Sequence, residues 1–433
     1  MHQPLIPAGG QELTRARLIS NLEYLRDHPE EPDSHNHVAF HGCYRRPGEL
    51  LVQLLEEGRE PRLMLEYSGT LLEGLRRMGI VDVFEQLRRI TEPGPYQHAA
   101  EWLGAAWGHA VAPSTPVQDY RLHVLAWRQH FAELFGAQAL ERVRGFSPAE
   151  MALPNHPDVA YEFVHTLRTA GYQWLLVQEH TVEVPETGRA PERKHLPHRL
   201  ICKSSRGESA SIVAIIKTQG SDTKLVGQMQ PYYEAKGLGR VELQGKSVPQ
   251  LVTQIADGEN GGVMMNEFPG QYCRVVREAS AGDTRLLNVS EYLDLIEACG
   301  VDSERLPPLQ PIHQKRIWER CEPGAGPERL ARVLGELGRE GGGFHMDGGS
   351  WTSDISWVKG YAGLLSEMQQ VSALFHERAT LSGVAAGERR YQNALFHLLC
   401  SQTSCFRYWG QGKWTDYGRE LCRRTREILL HDF

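Results

Sequence analysis

The sequence predicts an α/β protein in which a parallel sheet, open or closed into a barrel, is followed by a helical module. Three observations carry this expectation. Short apolar runs alternate with amphipathic stretches through the first two-thirds of the chain, the pattern that builds parallel sheets. After about residue 280 the strand-like runs stop, and segments 289–299, 326–340, 356–378, 386–400 and 415–430 carry helical periodicity. The 433 residues exceed one small core and fit a large barrel-type domain with an attached module. The expected division is 1–280 and 281–433.

Taken in order, Arg62–Tyr67 reads as a buried strand ending at Ser68 and Gly69. Thr70–Met78 follows as a helix with Leu71, Leu72 and Leu75 on one face. Leu103–Ala110 reads as a second strand, closed by the breaker-rich Ala112–Pro116. Asp119–Phe135 is a helix, and a strand near Arg142–Phe146 leads to Glu150. Asp158–Ala170 is a helix. Tyr172–Val177 is a strand apolar on both faces and hence central. Residues 183–198 read as an irregular excursion, and Ser211–Thr218 and Leu251–Ala256 as two more strands.

Composition narrows the function classes. A formal charge of -7 offers no basic surface for tracking nucleic-acid phosphates. The eight cysteines are scattered without a Cys-x-x-Cys pair, which fits reduced thiols rather than a disulfide framework. No apolar run reaches membrane-spanning length, and the start lacks the order of a signal peptide. A cytoplasmic protein is expected, with no nucleic-acid partner and no membrane. No strand is followed by a phosphate-cradling glycine loop, and Gly341-Gly342-Gly343 opens no helix of that kind.

Folds of this class place chemistry on loops at the C-terminal ends of strands. Glu150 stands at such a point, in a loop braced by Pro148 and Pro154. A stiff loop suits a nucleophile or a general base, although a loop carboxylate taken alone reads first as solvated. His2-Gln3-Pro4 opens the chain, Gly69–Glu73 follows the first strand and Gly108-His109 ends the second. Gln178-Glu179-His180 ends the central strand, and Asp257-Gly258-Glu259 follows the run at 251–256. Trp351 and Trp107 are candidate stacking platforms. His35, His37 and His41 lie close enough in sequence to raise a metal-dependent deacetylase as a minor alternative.

In this order, the motifs resemble the fingerprints of glycoside hydrolase family 57. His2-Gln3-Pro4, Gly69–Glu73, the stretch closing on Glu150, and Asp257-Gly258-Glu259 carry the resemblance over about residues 1–275. It implies a distorted (β/α)7-type barrel followed by helices. It also implies a retaining glycosidase or transglycosylase that acts on α-linked glucans or oligosaccharides, without cofactor or metal. Glu150 would be the nucleophile, and His2, Gln3, Glu73, His109, Gln178, His180, Asp257, Glu259 and Trp351 would line the sugar site. Two departures stand out. The His-Gln-Pro motif of the family closes a first barrel strand, for which this sequence has no residues, so either the true start lies upstream or that strand is missing. The family's acid/base Asp at the end of the central strand is replaced here by Gln178-Glu179-His180. Glu179 is the first candidate for the acid. If Gln178 occupies that place instead, the expectation becomes a catalytically impaired carbohydrate-binding or regulatory homologue.

Overall fold

The computed structural model describes all residues except 11, 218–222, 351–360, 381 and 409–410. Two short strands, β1 (Leu5–Pro7) and β2 (Leu18–Ser20), pair with each other near the start of the chain. Then come β3 (Leu63–Leu65), β4 (Ala100–Gly104), β5 (Gly145–Phe146), β6 (Trp174–Gln178), β7 (Val182–Glu183), β8 (His198–Lys203) and β9 (Ser209–Lys217). A hairpin of β10 (Arg240–Leu243) and β11 (Lys246–Pro249) stands apart, and β12 (Pro308–Pro311) is the last strand. One eight-stranded sheet runs in the order β3-β4-β5-β6-β9-β8-β12-β7. Its first five members are mutually parallel, while β8 runs antiparallel to β9 and β7 antiparallel to β12.

Among the described residues the sheet is not closed. At its β3 edge the Met1 amino nitrogen donates to Glu66 O at 2.6 Å, and Met1 O accepts from Ser68 N at 3.0 Å. That is the pairing a parallel neighbour of β3 would make, and it brings His2 to the C-terminal end of the sheet. The strands β4, β5 and β6 end there too, at Gly104, Phe146 and Gln178.

Helix Val117–Phe135 shows how sequence fixes the packing. Trp127, Phe131 and Phe135 recur every four residues and so share one face. Trp127 stacks on Phe131, both rings are fully buried, and Trp102 from β4 meets Phe131 and Phe135. Truncating Phe131 to Ala would remove this contact at a cost of about 3–5 kcal/mol. The same continuous core takes in Leu175 and Val177 of β6. It also includes Leu364, Val371, Leu398 and Leu421 of the C-terminal helices Tyr361–Phe375, Arg389–Ser401 and Lys413–His431.

Several expected elements shift. The second strand is Ala100–Gly104, and residues 105–111 leave it as a loop. Leu251–Ala256 forms no strand, because its bonds are a single main-chain contact from Leu251 N to His195 O and a side-chain contact from Thr253 Oγ1 to Ile216 O. Its apolar side chains Leu251 and Ile255 pack instead against the buried cluster that contains Trp174, Leu176 and Ile215. Strands do not stop at residue 280, since β12 joins β8 and β7. Prolines at both ends of β12 hide it from a reading based on strand propensity.

Candidate active site

Glu150 leaves β5 in a left-handed conformation, with φ +57° and ψ +22°, and Met151 follows at φ +50°. Such a conformation costs a non-glycine residue about 1–3 kcal/mol and persists only where its surroundings enforce it. The enforcement is visible. Met151 N donates to Pro148 O at 2.9 Å, and Leu153 exchanges two main-chain bonds with Gly349 at 2.8 and 3.2 Å. Buried Asn155 accepts from Gly348 N and donates to His345 O. Residues 345–349 thus strap the loop that carries Glu150. Gly348 has φ +76°, and a Cβ there would lie 2.5 Å from Pro113 Cγ and 2.8 Å from Leu153 O.

Beside Glu150 stand two stacked imidazoles. The rings of His2 and His109 are stacked nearly parallel with centroids 4.2 Å apart, and His109 Nδ1 lies 3.7 Å from Glu150 Oε1. His2 Nδ1 meets Ser68 Oγ at 2.8 Å and its Nε2 meets Thr403 Oγ1 at 2.9 Å. His109 Nδ1 meets Ser404 Oγ at 2.9 Å, whereas its Nε2 has no hydrogen bond among the described residues. Burial drives both imidazoles to the neutral form, His2 well below its ordinary pKa and His109 down to about 3. Ser68 also accepts from Leu71 N and so caps helix Gly69–Arg77.

The remaining expected carboxylates fall in different places. Glu259 accepts from His2 N at 2.8 Å, and burial raises its carboxyl pKa. Asp257 is exposed and lies 3.5 Å from the Asn260 amide. Glu73 is buried but committed to Arg76 and Arg77, with His130 Nε2 at 3.7 Å. Gln3 is buried and accepts from Asn21.

Gln178 closes β6. Trp174 and Leu176 pack with Leu103, Met151 and Ile215, and strand alternation puts Gln178 on that same face. It is 3% exposed, and its Oε1 has no hydrogen-bond partner among the described residues. Glu179 and His180 lie in the short helical turn that follows, both half-buried, and Lys194 Nζ is 3.5 Å from Glu179 Oε1. Because β5 and β6 are parallel neighbours, the Glu150 loop and this turn leave the sheet at the same end. Gly349 links them, bonding Leu153 on one side and packing against Thr181 on the other.

Trp351 lies outside the described residues. Trp107 is buried, its ring against Phe396 and its indole N–H donating to His130, so the core occupies it. His41 turns to Asp82 and His37 to Ser34 O, and no cluster of three or more metal-ligating side chains occurs among the described residues. Sequence reasoning missed Ser68, Thr403 and Ser404. The signal for the last two is the polar run Ser401-Gln402-Thr403-Ser404, which breaks an otherwise amphipathic helical stretch.

A mostly parallel eight-stranded sheet with a carboxylate and imidazoles beyond the C-terminal ends of its strands, followed by a helical C-terminal part, defines a mixed α/β protein. The model of glycosyl hydrolase family 57 matches residues 1–224, more than half of the sequence, and the chain belongs to that family. Among solved structures, 4-alpha-glucanotransferase from Thermococcus litoralis superposes with a TM-score of 0.55 at 17% identity, covering 90% of this chain and 55% of that one. An exo-type maltose-forming amylase from Pyrococcus sp. ST04 superposes with a TM-score of 0.54 at 12% identity, covering 99% and 68%. The chain therefore spans little more than half the length of the glucanotransferase. No curated protein matches it. Among the described residues no helix is long and apolar enough to cross a membrane.

Proposed function

We propose that the protein is a retaining glycosidase or transglycosylase acting on α-linked glucans or oligosaccharides. The observation that carries this reading is Glu150, held left-handed at a strand end by the strap at 345–349, with the neutral His109 beside its carboxyl. The family and the glucan-acting names of its structural neighbours support the substrate class.

Glu150 would attack the anomeric carbon and form a glycosyl-enzyme as the glycosidic bond breaks. Neutral imidazoles suit this role, because they offer hydrogen bonds without a positive charge that would blunt the nucleophile. His109 Nε2 is the ring nitrogen open to a sugar hydroxyl. Glu179 would protonate the leaving oxygen and then take a proton from water or an acceptor sugar. Its ion pair with Lys194 must open for the first step. We also propose a division near residue 280 and a cytoplasmic location, the latter consistent with eight cysteines that form no disulfide.

Gln178 favours a second reading. An amide on the inner face of β6, where the family carries its acid, cannot transfer a proton, and a carbohydrate-binding or regulatory homologue would result. Incubation with maltooligosaccharides and nitrophenyl α-glycosides separates the two. Turnover supports the enzyme, whereas thermal stabilisation by sugar without turnover overturns it in favour of the binding protein.

A further inference from the structure

A buried chain of hydrogen bonds runs from near the surface to the loop that holds His109. Gly108 N–H donates to His123 Nδ1 at 3.0 Å, so that nitrogen is an acceptor. Burial lowers the pKa of His123 to about 4, which leaves one ring proton, necessarily on Nε2. Nε2–H then donates to Gln402 Oε1 at 2.9 Å, which orients the Gln402 amide. Gln402 Nε2 donates to Asp119 Oδ2 at 2.6 Å, and Asp119 Oδ1 meets His376 Nε2 at 2.6 Å. Asp119 is fully buried in the first turn of helix Val117–Phe135, where the helix dipole favours an anion.

The geometry leaves little slack. Trp107 N also donates to His123 O, so His123 grips two consecutive residues of the loop. A Cβ on Gly108 would lie 2.8 Å from the His123 ring and 2.5 Å from Leu399 O. The next residue, His109, is left-handed at φ +53° and is tied to Ser404 twice, through its ring and through its carbonyl. Ser404 lies two residues beyond Gln402, so one short segment holds both ends of the arrangement.

We propose that Asp119 is a positioning residue: by accepting from Gln402 it fixes the direction of the chain through Gln402 and His123, and thereby holds His109 in register with Glu150. This rests on the glycosidase reading for its kinetic consequence, but not for its geometry. Losing the acceptor frees Gln402 to flip, presents a donor to His123 Nε2–H, and releases the Gly108 amide.

The test compares Asp119→Leu with Asp119→Asn, whose Oδ1 can still accept from Gln402. Asp119→Leu is expected to lower kcat about 10- to 100-fold with little change in KM, while Asp119→Asn stays close to wild type. Equal losses in the two variants, or a loss carried by KM, overturn the proposal. If the protein binds sugar without cleaving it, the same pair is read on the maltotriose-induced rise in Tm, abolished by the first and kept by the second. Nitrogen NMR of histidine-labelled wild-type protein needs neither a variant nor activity. An Nε2–H tautomer at His123 supports the chain, and an Nδ1–H tautomer removes it even where glycosidase activity is intact.

Discussion

His109 Nδ1 lies 3.7 Å from Glu150 Oε1, and the two residues share a left-handed backbone. Two strained residues from adjacent parallel strands are thus aimed at one another, a concentration typical of sites where geometry matters more than local stability. Replacing Glu150 with Gln keeps the shape and removes the proposed nucleophile. Turnover should fall on the order of 1000-fold or more, with the thermal midpoint little changed. A modest loss of activity would assign the nucleophile elsewhere.

Glu179 and Lys194 form the second testable pair. Glu179→Gln should depress hydrolysis of unactivated glucans far more than hydrolysis of nitrophenyl glycosides, which need no proton on leaving. Equal loss on both substrates removes Glu179 as the acid. Lys194→Met should leave hydrolysis of the activated substrate close to wild type, because that step does not require the ion pair to open.

The strap gives a third expectation, tested by Gly348→Ala. Its φ of +76° and the close approach of Pro113 and Leu153 O leave no room for a Cβ. The substitution should cost about 1–3 kcal/mol in urea unfolding and lower activity by loosening the Glu150 loop. An unchanged kcat would separate the strap from the site.

Buried histidines set the pH dependence of stability. His109 and His123 titrate near 3 and 4 in the folded chain against an ordinary value of 6.5, and His2 is shifted the same way. Between those values the unfolded chain binds protons that the folded chain does not, so stability is full above about pH 6.5 and is lost as pH falls. The slope is at most about 1.4 kcal/mol per pH unit for each histidine. Burial raises the carboxyl of Glu259, and that of Glu66, in the opposite sense, which offsets part of the loss just above pH 4.5. Urea midpoints measured from pH 8 to pH 5 should fall below pH 6.5, and a flat profile would show that these imidazoles are hydrated.

Much of this site was legible because strand ends leave local marks. The apolar run before Gln178 and the short strand before Glu150 place both residues without any knowledge of the fold. What sequence withheld were contacts between distant loops. His2 N bonds Glu259, 257 residues away, and Thr403 reaches His2 from a break between two helices. A hydroxyl in a helix break announces a turn, but its partner depends on how the C-terminal helices pack on the sheet. Glu73 shows the converse, since a motif position in sequence became an ion pair with Arg76 and Arg77 once the helix formed.

The proposed role of Glu150 is tested most directly by whether it bonds covalently to sugar. The measurement is incubation with a fluorinated α-glucosyl fluoride that slows release of the glycosyl-enzyme, followed by intact mass and peptide mapping. A single added glycosyl mass is expected, located on Glu150 and absent from the Glu150→Gln variant. An adduct on another carboxylate, or no adduct together with no turnover of any α-glucan, would contradict it.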